Sequence, residues 1–111
     1  MCFGSVDNTI LLLYYPLMIR SFKKRNPANE IFEGYFVRGI DKTVQKRAHL
    51  KLLAIHYAAR LEDLRIPSGN NLEALRGDRR GQHSIRINDQ WRDCFVWDKG
   101  GAEDVEIVDY H

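Results

Sequence analysis

The spacing of apolar residues predicts helices in the first half of the chain. Between residues 42 and 59, apolar side chains recur every three or four positions and form one stripe, while basic residues occupy the remaining surface. Asp41 directly precedes this segment and is a candidate N-cap. A shorter stripe predicts a second helix over residues 30–38, capped by Asn29, and alternation over residues 19–22 predicts a short strand.

From residue 72 the apolar period changes to two, which is typical of strands. The pattern predicts strands at residues 72–75, 83–87, 91–97 and 103–109, separated by short turns rich in Gly, Asn and Asp. Two N-terminal helices followed by consecutive strands predict an α+β domain, with the helices packed on one face of a small, mainly antiparallel sheet. The opposite face of that sheet is left open.

Five arginines and no lysine lie in a short stretch of this predicted sheet: Arg76, Arg79, Arg80, Arg86 and Arg92. If the turn at residues 88–90 has three residues, Arg86 stands directly opposite Arg92. Like charges are unfavourable at such a position, so the pairing indicates that an anion normally lies between them. Guanidinium groups bind phosphate with paired hydrogen bonds, which favours a phosphate ligand.

A solvated basic face is the alternative interpretation of the same arginines. Arg79 and Arg80 fall in a predicted turn, where we expect them to be solvated and to have a secondary role in attracting a polyanion. Charge along the whole chain is also uneven, because residues 18–60 carry ten Lys/Arg and three Asp/Glu, whereas residues 61–111 carry seven and eleven. This asymmetry in a chain of 111 residues with a net charge of +2 favours a polyanionic partner on one side.

The first 17 residues are apolar and contain no Lys or Arg, so we predict a leader at residues 1–17 outside a single domain at residues 18–111. The apolar run at residues 10–15 is too short to span a bilayer, and no positive charge precedes it as in a signal peptide. Cys2 and Cys94 lie at opposite ends, which favours a reduced, cytoplasmic protein. No residues follow metal-ligand spacing, and we expect no cofactor.

Three blocks in the second half of the chain resemble the HigB-type toxins of the RelE/ParE superfamily. They are LRGDRRG at residues 75–81, NDQWR at residues 88–92 and the terminal DYH, and the resemblance begins at Met18. Members of that family are compact α+β ribonucleases that cleave mRNA in the ribosomal A site. They are held inactive by a HigA-type helix-turn-helix antitoxin encoded beside them. The resemblance therefore implies a cytoplasmic type II toxin, a metal-independent endoribonuclease with no membrane partner.

The resemblance also implies a role for individual residues, of which Arg76, Arg92, Asp109, Tyr110 and His111 match the family's functional positions. His111 is expected to be the general acid or base, and Arg92 to stabilise the charge of the transition state. Arg76 and Arg86 are expected to bind the scissile or flanking phosphates. Tyr110 is expected to stack on a base or orient a group, and Asp109 to orient His111 or Arg92.

Two positions depart from the family pattern, because His83 replaces a usual aromatic residue and Asp93 a usual apolar one. Two other functions stay open on the sequence. One is inhibition of DNA gyrase, as in ParE-type toxins, and the other is an inactive RNA- or protein-binding module in which Asp93 or the leader blocks the site. A terminal histidine favours the ribonuclease, since a gyrase inhibitor needs no acid-base group.

Overall fold

A computed structural model describes residues 19–110 of the chain, which form two α-helices and one four-stranded antiparallel sheet. The elements are α1 (Ala28–Phe32), α2 (Lys42–Tyr57), β1 (Glu73–Ala74), β2 (His83–Arg86), β3 (Trp91–Asp98) and β4 (Gly101–Asp109). The strands lie in the order β1-β2-β3-β4, and the predicted α+β class is confirmed. The predicted leader at residues 1–17 lies outside the described residues.

Helix α2 follows the prediction closely. The Asp41 carboxylate accepts a hydrogen bond from the Thr43 backbone N–H at 3.1 Å, which satisfies one free donor of the first turn. The helix buries its apolar stripe in the core, where Leu52 and Ile55 are fully inaccessible to solvent. Within the described part of the chain, no helix is long and apolar enough to cross a membrane.

The prediction for the first helix is wrong in both length and cap. Helix α1 covers only Ala28–Phe32, and the side chain of Asn26 accepts the Ala28 N–H at 3.0 Å, whereas Asn29 caps nothing. Gly34 adopts a φ of +94°, a left-handed conformation that glycine reaches without steric cost and that ends the helix. The two aromatic residues that follow therefore leave the apolar stripe and face solvent.

The sheet has the register that a three-residue turn between β2 and β3 requires. Arg86 pairs with Arg92 across the two strands, and Ile85 pairs with Asp93, which in turn pairs with Ile107 on β4. Because side chains alternate between faces, Ile85, Asp93 and Ile107 point into the core and both arginines point away from it. The core combines these strand residues with apolar residues of both helices.

The predicted strands differ from the observed ones mainly at the edges of the sheet. Strand β1 is reduced to Glu73–Ala74, and residues 77–79 form a single 3-10 turn. Residues 19–22 run parallel to β4, where the backbone N–H groups of Arg20 and Lys23 donate to Ala102 and Val105 at 2.8 and 2.9 Å. This contact brings the basic segment that follows Phe22 beside the last strand.

Candidate functional site

Two arginines stand side by side on the face of the sheet that points away from the core. Arg86 on β2 and Arg92 on β3 are direct cross-strand partners, as predicted from the length of the turn. Arg86 forms an ion pair with Asp89 in that turn, and its side chain is one-third exposed. Arg92, in contrast, makes no ion pair with any residue between 19 and 110.

Main-chain oxygens and an aromatic ring hold the guanidinium group of Arg92. Its Nη1 donates to the carbonyl oxygen of Asn88 at 2.7 Å and to that of Trp91 at 3.4 Å. The guanidinium carbon lies 5.4 Å from the centre of the Tyr110 ring, which is a cation–π distance. Its Nε is buried and has no partner among the described residues. These contacts fix the group in space, and no carboxylate of residues 19–110 neutralises its positive charge.

The turn between β2 and β3 fastens the end of the chain to this arginine. The Asn88 side chain accepts the N–H groups of Gln90 and Trp91 at 2.9 and 2.8 Å, which fixes the shape of the turn. Gln90 then binds the segment after β4, because its carbonyl oxygen accepts the Tyr110 N–H at 2.5 Å and its side chain donates to Asp109 at 3.1 Å. Tyr110 is thereby held against Arg92, and the adjoining His111 lies outside the described residues.

Arg79 belongs to the same face but is bound within the protein. Its Nη1 donates to Glu106 on β4 at 2.9 Å and to Gln82 at 3.0 Å, and Lys23 lies 3.6 Å from the same Glu106 carboxylate. The hydrogen bond to Glu106 raises the pKa of Arg79, which therefore stays charged. The expectation that Arg79 is solvated is wrong, because a buried carboxylate 27 residues away anchors it.

Arg76 and Arg80 flank the 3-10 turn that Arg79 anchors, and both are exposed. Neither guanidinium group makes a hydrogen bond or ion pair within the described stretch of the chain, so both are available to a ligand. The sheet face thus carries one partly buried arginine, one arginine paired with an exposed aspartate, one bound to Glu106, and two arginines at the rim. This arrangement can bind successive phosphates of an extended polyanion.

Comparisons with known proteins bear on this arginine-rich face. Residues 22–111 match the family model of HigB-like toxins, described as the RelE-like toxin of the type II toxin-antitoxin system HigB. The chain belongs to this family.

Two relatives of the HigB family support the assignment. "Toxin HigB-1" of Vibrio cholerae serotype O1 is 40% identical over 65 residues, which cover 59% of this chain and 68% of the relative. "Endoribonuclease HigB" of Proteus vulgaris is 32% identical over 94 residues, which cover 85% of this chain and the whole relative. A solved "YoeB-YefM complex from Staphylococcus aureus" has a chain with the same fold, with a TM-score of 0.54 at 19% identity over 84% of this chain and 97% of that one.

The two departures from the HigB-family pattern lie on the opposite face of the sheet from the arginines. Asp93 is fully buried on the core face, and neither of its oxygens has a hydrogen-bond partner among the described residues. Burial raises its pKa well above the usual value, and the positive charge of Lys51 opposes that shift only in part. His83 is half-buried beside Phe95, and burial lowers its pKa. Asp93 therefore does not obstruct the arginine face.

The remaining reactive groups near the arginines do not provide a nucleophile or a metal site. Cys94 lies on the arginine face beside Glu106, its cross-strand partner on β4, and burial raises the pKa of its thiol to about 11, so it stays protonated at neutral pH. Over residues 19–110, no group of three or more His, Cys, Asp or Glu side chains is arranged to hold a metal ion.

Sequence reasoning missed three polar residues that organise the site. Asn88 and Gln90 shape the turn that holds Tyr110, and Glu106 anchors Arg79. An Asn at the first position of a three-residue turn is a recognisable signal, because its side chain commonly accepts a backbone N–H two residues on. Glu106 gave no such signal, since its partner comes from a distant segment of the chain.

Proposed function

We propose that this HigB-family toxin is an endoribonuclease that cleaves mRNA on the ribosome and so inhibits translation. The observation that carries the proposal is the charge of Arg92, which lies beside Arg86 and meets no carboxylate within residues 19–110. A partly buried, fixed cation of this kind stabilises negative charge that develops on a phosphate. The relative named as an endoribonuclease supports the same chemistry.

Cleavage of RNA without a metal requires two proton transfers and stabilisation of one extra negative charge. The ribose 2′-oxygen loses its proton and attacks phosphorus, and the 5′-oxygen leaves with a proton, which yields a 2′,3′-cyclic phosphate and a free 5′-hydroxyl. A positioned general acid or base contributes about 10²- to 10⁴-fold to such a reaction. Cations that contact the pentacoordinate phosphorus contribute a comparable or larger factor.

The arginines of the sheet and the residues that end or follow β4 can fill these roles. Arg92 stabilises the transition state. Arg86 and Arg76 bind the scissile or flanking phosphates. Arg79 and Arg80 strengthen the attraction of RNA. His111 transfers protons, since it directly follows Tyr110, which the structure holds against Arg92. Tyr110 orients Arg92 or stacks on a base. Asp109 is tied through Gln90 to the same turn and orients the chain end.

The proposed function requires that RNA can reach the arginine face, so the helices must cover the other face of the sheet. We infer that both helices cover the face of Ile85 and Asp93, because their apolar residues share one core with Ile85. Arg86, which alternates with Ile85 along β2, then faces outwards. A toxin that acts on translation works in the cytoplasm, and we place the protein there.

The test is a reconstituted translation reaction to which the purified protein is added, with mRNA cleavage mapped by primer extension. We expect cuts within translated codons that require ribosomes, and no cuts with an Arg92→Ala variant prepared in parallel. Inhibition of DNA supercoiling by gyrase with no mRNA cleavage would instead support the ParE-type function. Absence of both activities in a folded protein would support a binding module.

We also propose that a HigA-type helix-turn-helix antitoxin, encoded beside the toxin, holds it inactive. The exposed basic residues of α2, Lys42, Lys46 and Arg47, favour an acidic partner. Lys51 on the same helix is partly buried, and its ammonium group donates to the side chain of Asn70. Co-expression with the neighbouring reading frame should restore growth to cells that express the toxin. Failure of both adjacent reading frames to restore growth would contradict this partner.

A further inference from the structure

A groove lies between the end of α1 and the first half of α2, apart from the arginine face. Its volume is about 490 Å³, and its walls include Ile31, Tyr35, Phe36 and Leu50. Three of these side chains are unusually exposed for large apolar groups, at 69% for Tyr35 and 63% for Phe36 and Leu50. Contiguous exposed apolar surface of this kind marks a site of interaction rather than a solvated surface. None of the residues proposed for RNA cleavage lines the groove.

Hydrogen bonds to helix α2 hold the groove open. The buried Gln45 side chain accepts the Val37 N–H at 2.9 Å and donates to the carbonyl oxygens of Val37 and Ile40 at 2.7 Å each. The ring of His49 forms a hydrogen bond with the carbonyl oxygen of Ile31 at 2.9 Å. The loop that presents Tyr35 and Phe36 is therefore fixed from both sides. A partner that binds to such a preformed groove does not lose binding free energy to the ordering of the loop.

The charge around the groove indicates what kind of segment fits it. Lys42 and Lys46 line it, and no Asp or Glu of residues 19–110 does. A symmetric pairing of two copies through this groove would bring four lysines together, which is unfavourable. A segment with apolar side chains on one side and carboxylates beside them matches both the apolar walls and the two lysines.

We propose that this groove anchors an acidic amphipathic segment of the antitoxin, through Tyr35, Phe36 and Leu50 with Lys42 and Lys46. The inference rests on the proposed antitoxin partner and adds the surface that binds it. Because the groove and the arginine face share no residues, the anchored segment retains the toxin without itself occupying the site of cleavage.

The test compares groove variants with matched variants elsewhere. Phe36→Ser and Leu50→Ser each remove one exposed apolar anchor, whereas Tyr57→Ser and Ile66→Ser remove side chains that are equally exposed, at 74% and 80%, but lie outside the groove. The dissociation constant for the purified antitoxin is measured by calorimetry, and folding of each variant by thermal unfolding. We expect the groove variants to bind tenfold more weakly or worse, and the controls to bind as the parent does.

Lys46 is exposed, so the variant Lys46→Glu tests the charge requirement without changing the packing of the core. It should weaken antitoxin binding and reduce the dependence of that binding on salt concentration. Unchanged dissociation constants for Phe36→Ser, Leu50→Ser and Lys46→Glu would overturn the proposal, as would a toxin dimer that the groove variants convert to monomers. Binding is measured independently of RNA cleavage, so an inactive toxin that still binds the antitoxin through the groove contradicts only the proposed ribonuclease function.

Discussion

Arg92 differs from the other arginines of the sheet in what its guanidinium group contacts. Arg86 and Arg79 each meet a carboxylate, whereas Arg92 meets two carbonyl oxygens and the Tyr110 ring. Carbonyl oxygens orient a guanidinium group without cancelling its charge. The sequence placed Arg92 opposite Arg86, but this difference in contacts depends on the folded turn.

The shape of the Arg92 side chain, and not only its charge, is expected to matter. An Arg92→Lys variant keeps the charge but loses the planar fork and the cation–π geometry over Tyr110, so we expect growth arrest to fall strongly. Arg80→Lys, at an exposed arginine in the turn, should remain toxic. Growth after induction of each variant is the measurement, and a fully toxic Arg92→Lys strain would show that a point charge suffices.

Asp93 makes stability depend on pH in the direction opposite to that of a salt-bridged aspartate. Burial holds its pKa in the folded state above the unfolded value of about 3.8, so the folded protein retains a proton that the unfolded chain releases. The free energy of unfolding should therefore fall as the pH rises above about 4, and it should level off once the pH exceeds the raised pKa of Asp93. Each tenfold difference in the acid constant corresponds to about 1.4 kcal/mol.

An Asp93→Asn variant should lose this part of the pH dependence and be more stable than the parent at pH 8. Asp98→Asn, at an exposed aspartate on the same strand, is the matched control and should leave the pH profile unchanged. Urea unfolding from pH 4 to pH 8 provides the comparison. Identical profiles for the parent and Asp93→Asn would mean that this carboxyl group is ionised in the folded protein.

At the scale of elements, local patterns predicted α2 and the β2–β3 hairpin and failed for α1. The α2 prediction succeeded because a capping carboxylate and a long apolar stripe agree over 16 residues. In α1, apolar spacing continued past the point where Gly34 turns the chain away, so Tyr35 and Phe36 are exposed and line a groove where the pattern predicted a buried stripe. Long-range pairs such as Arg79 with Glu106 have no local pattern at all.

The ion pair between Arg79 and Glu106 is expected to anchor the arginine-bearing turn to β4. Glu106→Gln should lower the free energy of unfolding by about 1–3 kcal/mol, because a mostly buried, charge-assisted hydrogen bond is weakened. It should also steepen the salt dependence of RNA binding, since Arg79 and Lys23 lose their shared counter-charge.

The matched control for that ion pair is Glu103→Gln. Glu103 lies on the same strand and pairs with Arg20 at 3.3 Å, but both side chains are substantially exposed, so the loss should stay below about 1 kcal/mol. Chemical denaturation and filter binding at several salt concentrations measure both effects. Equal losses of stability in the two variants would contradict a special role for Glu106.

At the scale of the whole molecule, the interactions separate into two surfaces. The arginine face is formed by β2, β3 and the segment after β4, and the groove is formed by α1, α2 and the loop between them. The sequence predicted the basic face because arginines cluster locally. It did not predict the groove, since that surface arises from the packing of two helices whose relative positions the sequence pattern does not specify.

The end of the chain is expected to be sensitive to change. Deletion of His111, or a C-terminal extension, should lower cleavage by about 10²-fold or more, because the proton-transfer group is removed or crowded beside Tyr110. An N-terminal tag should be tolerated, since residues 1–17 precede the domain predicted from the sequence. Cleavage rates for the three forms are compared with that of the untagged protein. Full activity after deletion of His111 would remove it from the mechanism.

The central claim is that the Arg92 site cleaves ribosome-bound mRNA, and the most direct measurement is single-turnover cleavage on programmed ribosomes. The parent protein is compared with Arg92→Ala and with Arg38→Ala, at an exposed arginine outside the arginine face, as a control for general loss of positive charge. We expect Arg92→Ala to remain folded and to cleave about 10²-fold more slowly or worse, with Arg38→Ala close to the parent. A folded Arg92→Ala protein that cleaves at the parental rate would contradict the account.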